Sequence, residues 1–269
     1  MTDGNLFQLS DNAAENYEQI SARYILGPWA QVLVGAAKLK GGEKVLDLAC
    51  GTGIVSRAAA EQLGACGHIT GLDTNPGMLR VAEKIGIKGC CPIEWVEGSA
   101  CNMPLEDGAF DAVLCQQGLQ YFPDQAKAIS ECYRVLCAGG RACFNIWAAA
   151  GPYNEALARA IAMHIGDKEA RQYRKSRDVP DAASLRQLFE DAGFSNVDVT
   201  FKEMLVRLPE IEEFVISHLD GNPISPALNA LSEEAQANLA RDVVADITVY
   251  ADGDDVVVPD SIQLICATK

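Results

Sequence analysis

Basic residues and long apolar runs are both scarce in this sequence of 269 residues. Lys and Arg number 22 against 37 Asp and Glu, which gives a formal net charge of −15. A negative field repels nucleic-acid phosphates and anionic lipids, so we expect no nucleic-acid partner and no membrane partner. No apolar run approaches the roughly 20 residues that a membrane-spanning helix needs. The first residues lack the basic start and apolar run of a secretory signal, so we expect a cytoplasmic protein.

One cluster of basic residues stands out against this acidic background. It consists of Arg171, Arg174, Lys175 and Arg177. A solvated helix face is the favoured interpretation of such a cluster. The alternative is a clamp for an acidic group of a substrate.

Histidine is rare, and paired metal-binding motifs are missing. The chain has three histidines, and its ten cysteines include no Cys-x-x-Cys pair, so the sequence does not predict a zinc site. Cys90 and Cys91 are adjacent and cannot easily bridge each other. We therefore expect no metal and reduced thiols, because reduced cysteine behaves as a small hydrophobic residue in apolar strand-like runs. Four cysteines lie in or beside such runs: Cys50, Cys115, Cys143 and Cys266.

Between residues 44 and 147, short apolar runs alternate with amphipathic segments. The apolar runs predict five strands, at Val45–Ala49, His68–Asp73, Ile93–Gly98, Phe110–Gln117 and Arg141–Trp147. The segments between them predict helices with one apolar side. Strands and helices that alternate at this spacing predict a parallel sheet with helices on both faces. We therefore expect an α/β fold, a Rossmann-like three-layer αβα sandwich.

Two late apolar runs complete the predicted sheet. Val197–Leu208 and Val256–Thr268 predict strands that pair antiparallel at the sheet edge. With them, the expected sheet is mostly parallel and seven-stranded, with an antiparallel C-terminal strand.

Helical segments are predicted around this sheet. Residues 1–40 are predicted to form helices that belong to a cap, with a break at Gly27-Pro28. Residues 41–269 form the main domain, with further helical cap insertions at about 150–193 and 209–252.

A glycine-rich turn follows the first predicted strand and reads Asp47-Leu-Ala-Cys-Gly-Thr-Gly53. Gly51 and Gly53 permit a tight turn and let a ligand approach more closely than a Cβ would allow. The helix that begins near Gly53 presents N–H groups and a positive dipole end. Nicotinamide and flavin binders use the same turn, so the turn alone does not identify the ligand.

Asp73 ends the second predicted strand, 20 residues after Gly53. A carboxylate at this position can accept hydrogen bonds from two vicinal hydroxyls of an adenosine ribose. The alternative is that Asp73 is only the N-cap of the helix near Asn75. Because Asp73 and the glycine turn fall in one βαβ unit, the ribose interpretation is favoured.

Four segments in order resemble class I S-adenosylmethionine-dependent methyltransferases, most closely the ubiquinone/menaquinone-biosynthesis type and related small-molecule enzymes. They lie at Val45–Gly53, Gly71–Leu79, Phe110–Asp124 and Arg134–Gly140, and the resemblance covers about residues 40–147. It implies transfer of a methyl group from S-adenosylmethionine to a small-molecule acceptor by in-line displacement, with S-adenosylhomocysteine as product. The sequence leaves both a monomer and a homodimer open.

The resemblance also implies a set of cofactor-binding residues: Asp47, Ala49, Gly51, Gly53, Asp73, Thr74, Met78, Ser99, Ala100 and Gln116. The first four would hold the methionine part of the cofactor, and Asp73 would bind the ribose hydroxyls. The remaining residues would border the adenine, except Gln116, which would lie beside the sulfonium. The chain departs from the family pattern at Ala49, where a glycine is usual, and at Ser99, where an aspartate often stands. Metal-dependent relatives carry an aspartate where this chain has Gln116, so the resemblance implies no metal.

The sequence predicts no catalytic residue. His164 and His218 fall in the predicted cap and could act as a base, although a lone helical histidine is more often structural or exposed. Aromatic side chains are candidates for contact with the acceptor, although core packing explains each of them at least as well. These aromatic residues are Tyr17, Tyr24, Trp29, Tyr121, Phe122 and Trp147.

Two other functions stay open at this point. One is an NAD(P)-dependent reductase on a Rossmann-like fold, against which the lack of a second βαβαβ half argues. The other is a non-catalytic nucleotide- or cofactor-binding protein, because a fold does not fix a function. The intact motif turns argue against it.

Overall fold

An eight-stranded sheet forms the centre of the computed structural model, which describes residues 9, 11–87 and 91–269. The strand order is β3-β2-β1-β4-β5-β8-β6, and the short β7 pairs with β8. This order confirms the Rossmann-like α/β fold class, with β7 added to the seven predicted strands. The strands are β1 Lys44–Leu48, β2 His68–Asp73, β3 Ile93–Glu97, β4 Phe110–Gln116, β5 Leu136–Trp147, β6 Ser195–Leu208, β7 Ala251–Asp252 and β8 Asp255–Thr268.

Helices connect and cover these strands. They are α1 Asp11–Tyr17, α2 Gly27–Ala37, α3 Ile54–Leu63, α4 Pro76–Ile85, α5 Gln125–Val135, α6 Pro152–His164, α7 Asp167–Arg174, α8 Ala182–Asp191, α9 Ile211–Asp220, α10 Ser225–Leu228 and α11 Glu233–Asp246. In the described part of the chain, none of them is long and apolar enough to cross a membrane.

Strands β1 to β5 are parallel to one another wherever they pair. Their carboxyl ends therefore meet at one edge of the sheet, where the loops into α3, α4 and α5 begin. Side-chain caps start two of these helices: Asn75 accepts from the N–H groups of Gly77 and Met78, and Asp124 accepts from the N–H of Lys127. Local capping thus fixes where each helix leaves the edge that carries the site.

The C-terminal strand β8 lies between β5 and β6 and is antiparallel to both. The antiparallel pairing predicted for the two late strands is confirmed. Trp147 at the end of β5 pairs with Ile262 in β8, which brings the neighbouring residues of β8 towards the loop after β5. This pairing places Asp260 near the cap.

The N-terminal helical segment runs without interruption from α1 through a π-helical stretch, Glu18–Leu26, into α2. The N–H of Gly27 donates to the carbonyl oxygen of Ala22, five residues earlier. The predicted break at Gly27-Pro28 is therefore wrong. Pro28 lies in the first turn of α2, where the missing N–H of a proline is not needed.

Each face of the sheet carries its own apolar core. On one face, α2 and α3 pack against the sheet, and the cap helices α6, α7, α9 and α11 join this core. On the other face lie α5 and α8, with the rings of Phe144 and Phe189 edge to face at 5.2 Å. Helix α8 therefore belongs to a layer of the sandwich, although the sequence places it in the cap insertion at 150–193.

The cysteines of the described residues form no disulfide. Cys143 and Cys266 are directly opposite on β5 and β8, with their sulfur atoms 3.1 Å apart in a hydrogen bond. The interpretations that concern Cys90 and the first residues of the chain lie outside the described residues.

Candidate functional site

A large cavity opens at the carboxyl ends of the parallel strands, between the sheet and the cap. It encloses about 1600 Å³ including its open mouth. Most of the predicted cofactor residues lie on its wall, and only Asp47 and Gly53 do not. The predicted residues on the wall are Ala49, Gly51, Asp73, Thr74, Met78, Ser99, Ala100 and Gln116.

The glycine turn has the left-handed backbone that its sequence suggests. Gly51 and Gly53 have φ angles of +54° and +83°, and Ala49 adopts +56° despite its Cβ. The N–H of Gly51 donates to Oδ2 of Asp73 at 2.8 Å. The turn after β1 and the acid at the end of β2 are therefore held together directly.

Asp73 presents a prepared pair of acceptor oxygens on the cavity wall. Oδ2 accepts from Gly51 N–H, and Oδ1 accepts from Asn75 N–H, both at 2.8 Å. Each carboxylate oxygen has a further lone pair, so both oxygens can also accept a hydroxyl proton. Burial raises the pKa of Asp73 while these N–H donors oppose the rise. The arrangement fits the two vicinal hydroxyls of a ribose.

Asp47 lies behind the turn rather than on the cavity wall. Its Oδ2 accepts from the N–H and the hydroxyl of Ser56, at 2.8 and 2.6 Å, which ties β1 to the first turn of α3. Its Oδ1 is buried and has no hydrogen-bond partner among the described residues. Burial raises the pKa of Asp47 to about 7.

Gly53 is required by packing inside the protein. A Cβ at Gly53 would lie 2.4 Å from the indole ring of Trp95, and one at Gly71 would meet the same ring at 2.4 Å. Trp95 of β3 thus packs across two neighbouring segments of backbone. The sequence interpretation, which assigned the glycine to close approach of a ligand, missed this contact.

Gln116 at the end of β4 links the sheet to the N-terminal helices. Its Nε2 donates to the carbonyl oxygen of Leu26 at 2.9 Å, and its Oε1 accepts from Nδ2 of Asn145 at 3.0 Å. Asn145 is fully buried in β5 and was not identified from the sequence. The sequence signal that could have identified Asn145 is its amide side chain inside the otherwise apolar run at the end of β5.

Gln117 is a second site residue that the sequence did not single out. It adopts a φ of +54°, lies on the cavity wall and is 8% exposed. Its Oε1 accepts from Gln120, while its Nε2 is buried without a hydrogen-bond partner in the described chain. A strained backbone with an unsatisfied amide is common at functional sites.

The aromatic candidates divide into two groups. Tyr24 packs edge to face on Phe214 at 5.9 Å, and Trp29 is fully buried with its Nε1 directed to Asp260 at 3.4 Å. Neither of them lines the cavity. The other four do: Tyr17, Tyr121, Phe122 and Trp147.

The two cap histidines differ in their position relative to the cavity. His164 is bonded to Asp242 at 2.6 Å, away from the cavity wall. His218 is buried, lines the cavity and lies 2.9 Å from the hydroxyl of Tyr153. Burial, and then the positive charge of Arg177, lower the pKa of His218 to about 4.

The basic cluster is not a uniform solvated face. Arg171, Arg174 and Lys175 are exposed, whereas the side chain of Arg177 is only 7% exposed and lines the cavity. The described residues contain no group of three or more His, Cys, Asp or Glu that could hold a metal ion.

Several known proteins similar to this chain are methyltransferases. A sequence model of the ubiE/COQ5 methyltransferase family matches residues 9–204. The demethylmenaquinone methyltransferases of Listeria welshimeri and Staphylococcus haemolyticus are 34% and 32% identical over 183 residues. These matches cover 63% and 64% of this chain and 77% and 76% of the relatives.

Two solved structures with a similar fold come from more distant proteins. One is Haemonchus contortus phosphoethanolamine N-methyltransferase 2 in complex with S-adenosylmethionine, with a TM-score of 0.62 and 18% identity. The match covers 97% of this chain and 57% of that protein. The other is a methyltransferase of Aquifex aeolicus that depends on S-adenosylmethionine, with a TM-score of 0.51 and 18% identity over 71% of this chain and 90% of its own.

Proposed function

Since the chain belongs to the ubiE/COQ5 methyltransferase family, we propose that its S-adenosylmethionine-dependent methyl transfer acts on a hydroxylated aromatic small molecule. The relatives' names contain demethylmenaquinone, which is a naphthoquinone. Its quinol form is an aromatic ring with two hydroxyl groups. The proposed acceptor class is therefore a quinol or a related hydroxylated arene.

The bond pattern of Asp73 is the observation that carries the cofactor assignment. In this proposal the two oxygens fixed by Gly51 and Asn75 bind the ribose hydroxyls. Thr74 and Met78, which also lie on the wall, border the adenine.

The other predicted cofactor residues on the cavity wall have these proposed roles. Ser99 and Ala100 lie along the adenine edge, and the turn at Ala49 faces the methionine part. Gln116 acts indirectly, because both ends of its amide already bind Leu26 and Asn145. It positions the N-terminal helix over the cofactor.

Alignment of the two reactants is the main task left to the chain. S-adenosylmethionine supplies a methyl group on a positively charged sulfur. The acceptor hydroxyl would lose its proton to solvent, and the acceptor atom would then bond to the methyl carbon as the carbon–sulfur bond breaks, with the electron pair staying on sulfur. Positioning alone can lower such a barrier by roughly 7–11 kcal/mol.

Aromatic side chains shape the acceptor side of the cavity. Tyr121, Phe122, Trp147 and Tyr173 line it, and Tyr17 lies beside the glycine turn, with its ring 3.9 Å from where a Cβ of Gly51 would be. Flat apolar surfaces of this kind suit an aromatic acceptor and exclude water from the space around it.

The two alternatives from the sequence are not favoured. A nicotinamide-dependent reductase and a non-catalytic binding protein would both contradict the family match and the relatives at 34% identity. The cytoplasmic location and the choice between monomer and homodimer stay predictions.

A transfer assay tests the acceptor class. The enzyme is incubated with methyl-labelled S-adenosylmethionine and 1,4-dihydroxynaphthalene under reducing conditions, with aliphatic amines as comparison acceptors. We expect label in the dihydroxynaphthalene product, lost in Asp73→Ala and retained in the control Glu83→Ala, an exposed acid on α4. Label in the amines alone would contradict the proposed acceptor class.

A further inference from the structure

Three side chains of the cap present N–H donors to the cavity. Arg177 follows α7, His218 belongs to α9, and Asn154 belongs to α6. All three line the cavity, and we call them the donor cluster. Since they come from three separate elements, their position on one cavity wall depends on the tertiary fold rather than on one sequence motif.

Arg177 is buried with only part of its guanidinium paired. Its Nη1 donates to Oδ1 of Asp260 at 2.9 Å and to the carbonyl oxygen of Ala149 at 3.1 Å. The guanidinium carbon lies 3.8 Å from the ring centroid of Trp147, which fixes its plane. No residue of the described chain accepts from Nε or Nη2. Neither atom is among the buried side-chain atoms without a partner, so both face the open cavity, where a ligand can accept from them.

His218 is held so that its second ring nitrogen carries a proton. Nδ1 lies 2.9 Å from the hydroxyl of Tyr153, and this is the one hydrogen bond of that buried hydroxyl within the described residues. A buried hydroxyl without an acceptor is costly, so Tyr153 donates to Nδ1. The proton of the neutral ring is then on Nε2. Burial and the charge of Arg177 keep the pKa of His218 at about 4, so the ring is neutral at neutral pH.

Asn154, the third residue of the donor cluster, also has a free N–H donor and an acceptor that is already used. Its Oδ1 accepts from the hydroxyl of Tyr173 at 3.0 Å, which leaves its NH₂ group as the unused end. Arg177, His218 and Asn154 therefore all present N–H groups to a ligand, and their acceptor atoms are absent or already used.

We propose that the donor cluster binds an anionic oxygen, a phenolate or a carboxylate, on the ring of the methyl acceptor. The inference rests on the proposed function, which places an aromatic acceptor in this cavity. In this proposal Arg177 forms a clamp with residues distant in sequence, whereas Arg171, Arg174 and Lys175 belong to an exposed face. The donor cluster would thus determine specificity for the methyl acceptor, which the cofactor motifs do not determine.

Two probes of nearly equal shape test the charge preference. The enzyme is saturated with S-adenosylhomocysteine and titrated in a calorimeter with 1-hydroxy-2-naphthoate or 1-hydroxy-2-naphthamide. The naphthamide has a neutral NH₂ group where the naphthoate has a charged oxygen, and this NH₂ group would face the N–H donors of the cluster. We expect the naphthoate to bind at least roughly tenfold more tightly, as charge-assisted hydrogen bonds predict.

Single substitutions test whether the preference for naphthoate over naphthamide comes from the donor cluster. Arg177→Met should abolish it, whereas the control Arg174→Met should keep it, because the Arg174 side chain is 45% exposed and pairs with Glu155. Arg177→Met also leaves Asp260 without its ion-pair partner, so His218→Phe provides a second variant in which that ion pair is intact. It should weaken naphthoate binding at least about threefold and leave S-adenosylhomocysteine binding unchanged.

Three results would overturn the inference: amide binding as tight as naphthoate binding, no naphthoate binding to the enzyme loaded with S-adenosylhomocysteine, or a preference that survives Arg177→Met. Failure of S-adenosylhomocysteine itself to bind would instead contradict the proposed function, so the two failures are distinguishable.

Discussion

Asp47 should make the protein less stable at neutral pH than at pH 5. Burial raises the pKa of its carboxyl from the usual 3.8 to about 7, while Ser56 opposes the rise. Between these values the folded protein holds a proton that the unfolded chain has released. The free energy of unfolding therefore falls as the pH rises through this window, by about 1.4 kcal/mol per unit. From pH 5 to pH 7 the loss is roughly 2–3 kcal/mol.

Asp47→Asn removes the titration and keeps the shape of the side chain. The amide oxygen can still accept from the N–H and hydroxyl of Ser56, and the NH₂ group takes the place of the unpartnered Oδ1. Relative to the wild type, the variant should therefore gain stability as the pH rises from 5 to 7 and change little from 7 to 8. Contributions from titrating groups that do not interact with Asp47 cancel in this difference.

Urea unfolding of both proteins at pH 5, 6, 7 and 8 gives the measurement. Glu83→Gln removes an exposed carboxylate and serves as the control, with no expected pH trend. A stability difference between Asp47→Asn and the wild type that stays constant across this range would refute the reasoning.

Three further predictions concern the glycine turn. Gly53→Ala should cost more than about 3 kcal/mol and lower the melting temperature sharply, since its Cβ would lie 2.4 Å from Trp95 at a φ of +83°; a loss below about 0.5 kcal/mol, the size expected of an ordinary surface substitution, would contradict this. Ala49→Gly should raise the unfolding free energy by up to about 1 kcal/mol, because it relieves the left-handed backbone of Ala49; a loss in thermal unfolding would count against it. Gly118→Ala should destabilise, because its Cβ would meet the Ala49 Cβ and the Cys115 Sγ, each at 2.8 Å, and Ala49→Gly should partly restore stability in a double-mutant cycle. Additive effects of the two substitutions would exclude that contact as the cause.

The parallel core could be predicted from the sequence because its signals are local. Short apolar runs alternate with helical periodicity, and left-handed backbone at Gly51 and Gly53 favours glycine. The position of Asp73 beside the turn follows, because the carboxyl ends of parallel strands meet at one edge. Most of the residues predicted to bind the cofactor lie on the cavity wall.

The remaining features depend on contacts between distant segments. Nothing around Ala182–Asp191 distinguishes a cap helix from one that covers the sheet, because both bury one apolar face. The packing of Trp95 on Gly53 joins β3 to the turn after β1. Arg177 looked like part of a solvated cluster because its ion pair with Asp260 spans 83 positions. Sequence patterns do not report such pairings.

Titration calorimetry with S-adenosylhomocysteine tests the central claim most directly. Wild type and Glu83→Ala should bind with equal affinity. Asp73→Ala should bind about 10²–10⁴-fold more weakly, because it removes two charge-assisted hydrogen bonds of roughly 1.5–3 kcal/mol each. Circular dichroism confirms that each variant is folded. Unchanged affinity of Asp73→Ala, or binding of a nicotinamide dinucleotide in place of S-adenosylhomocysteine, would contradict the account.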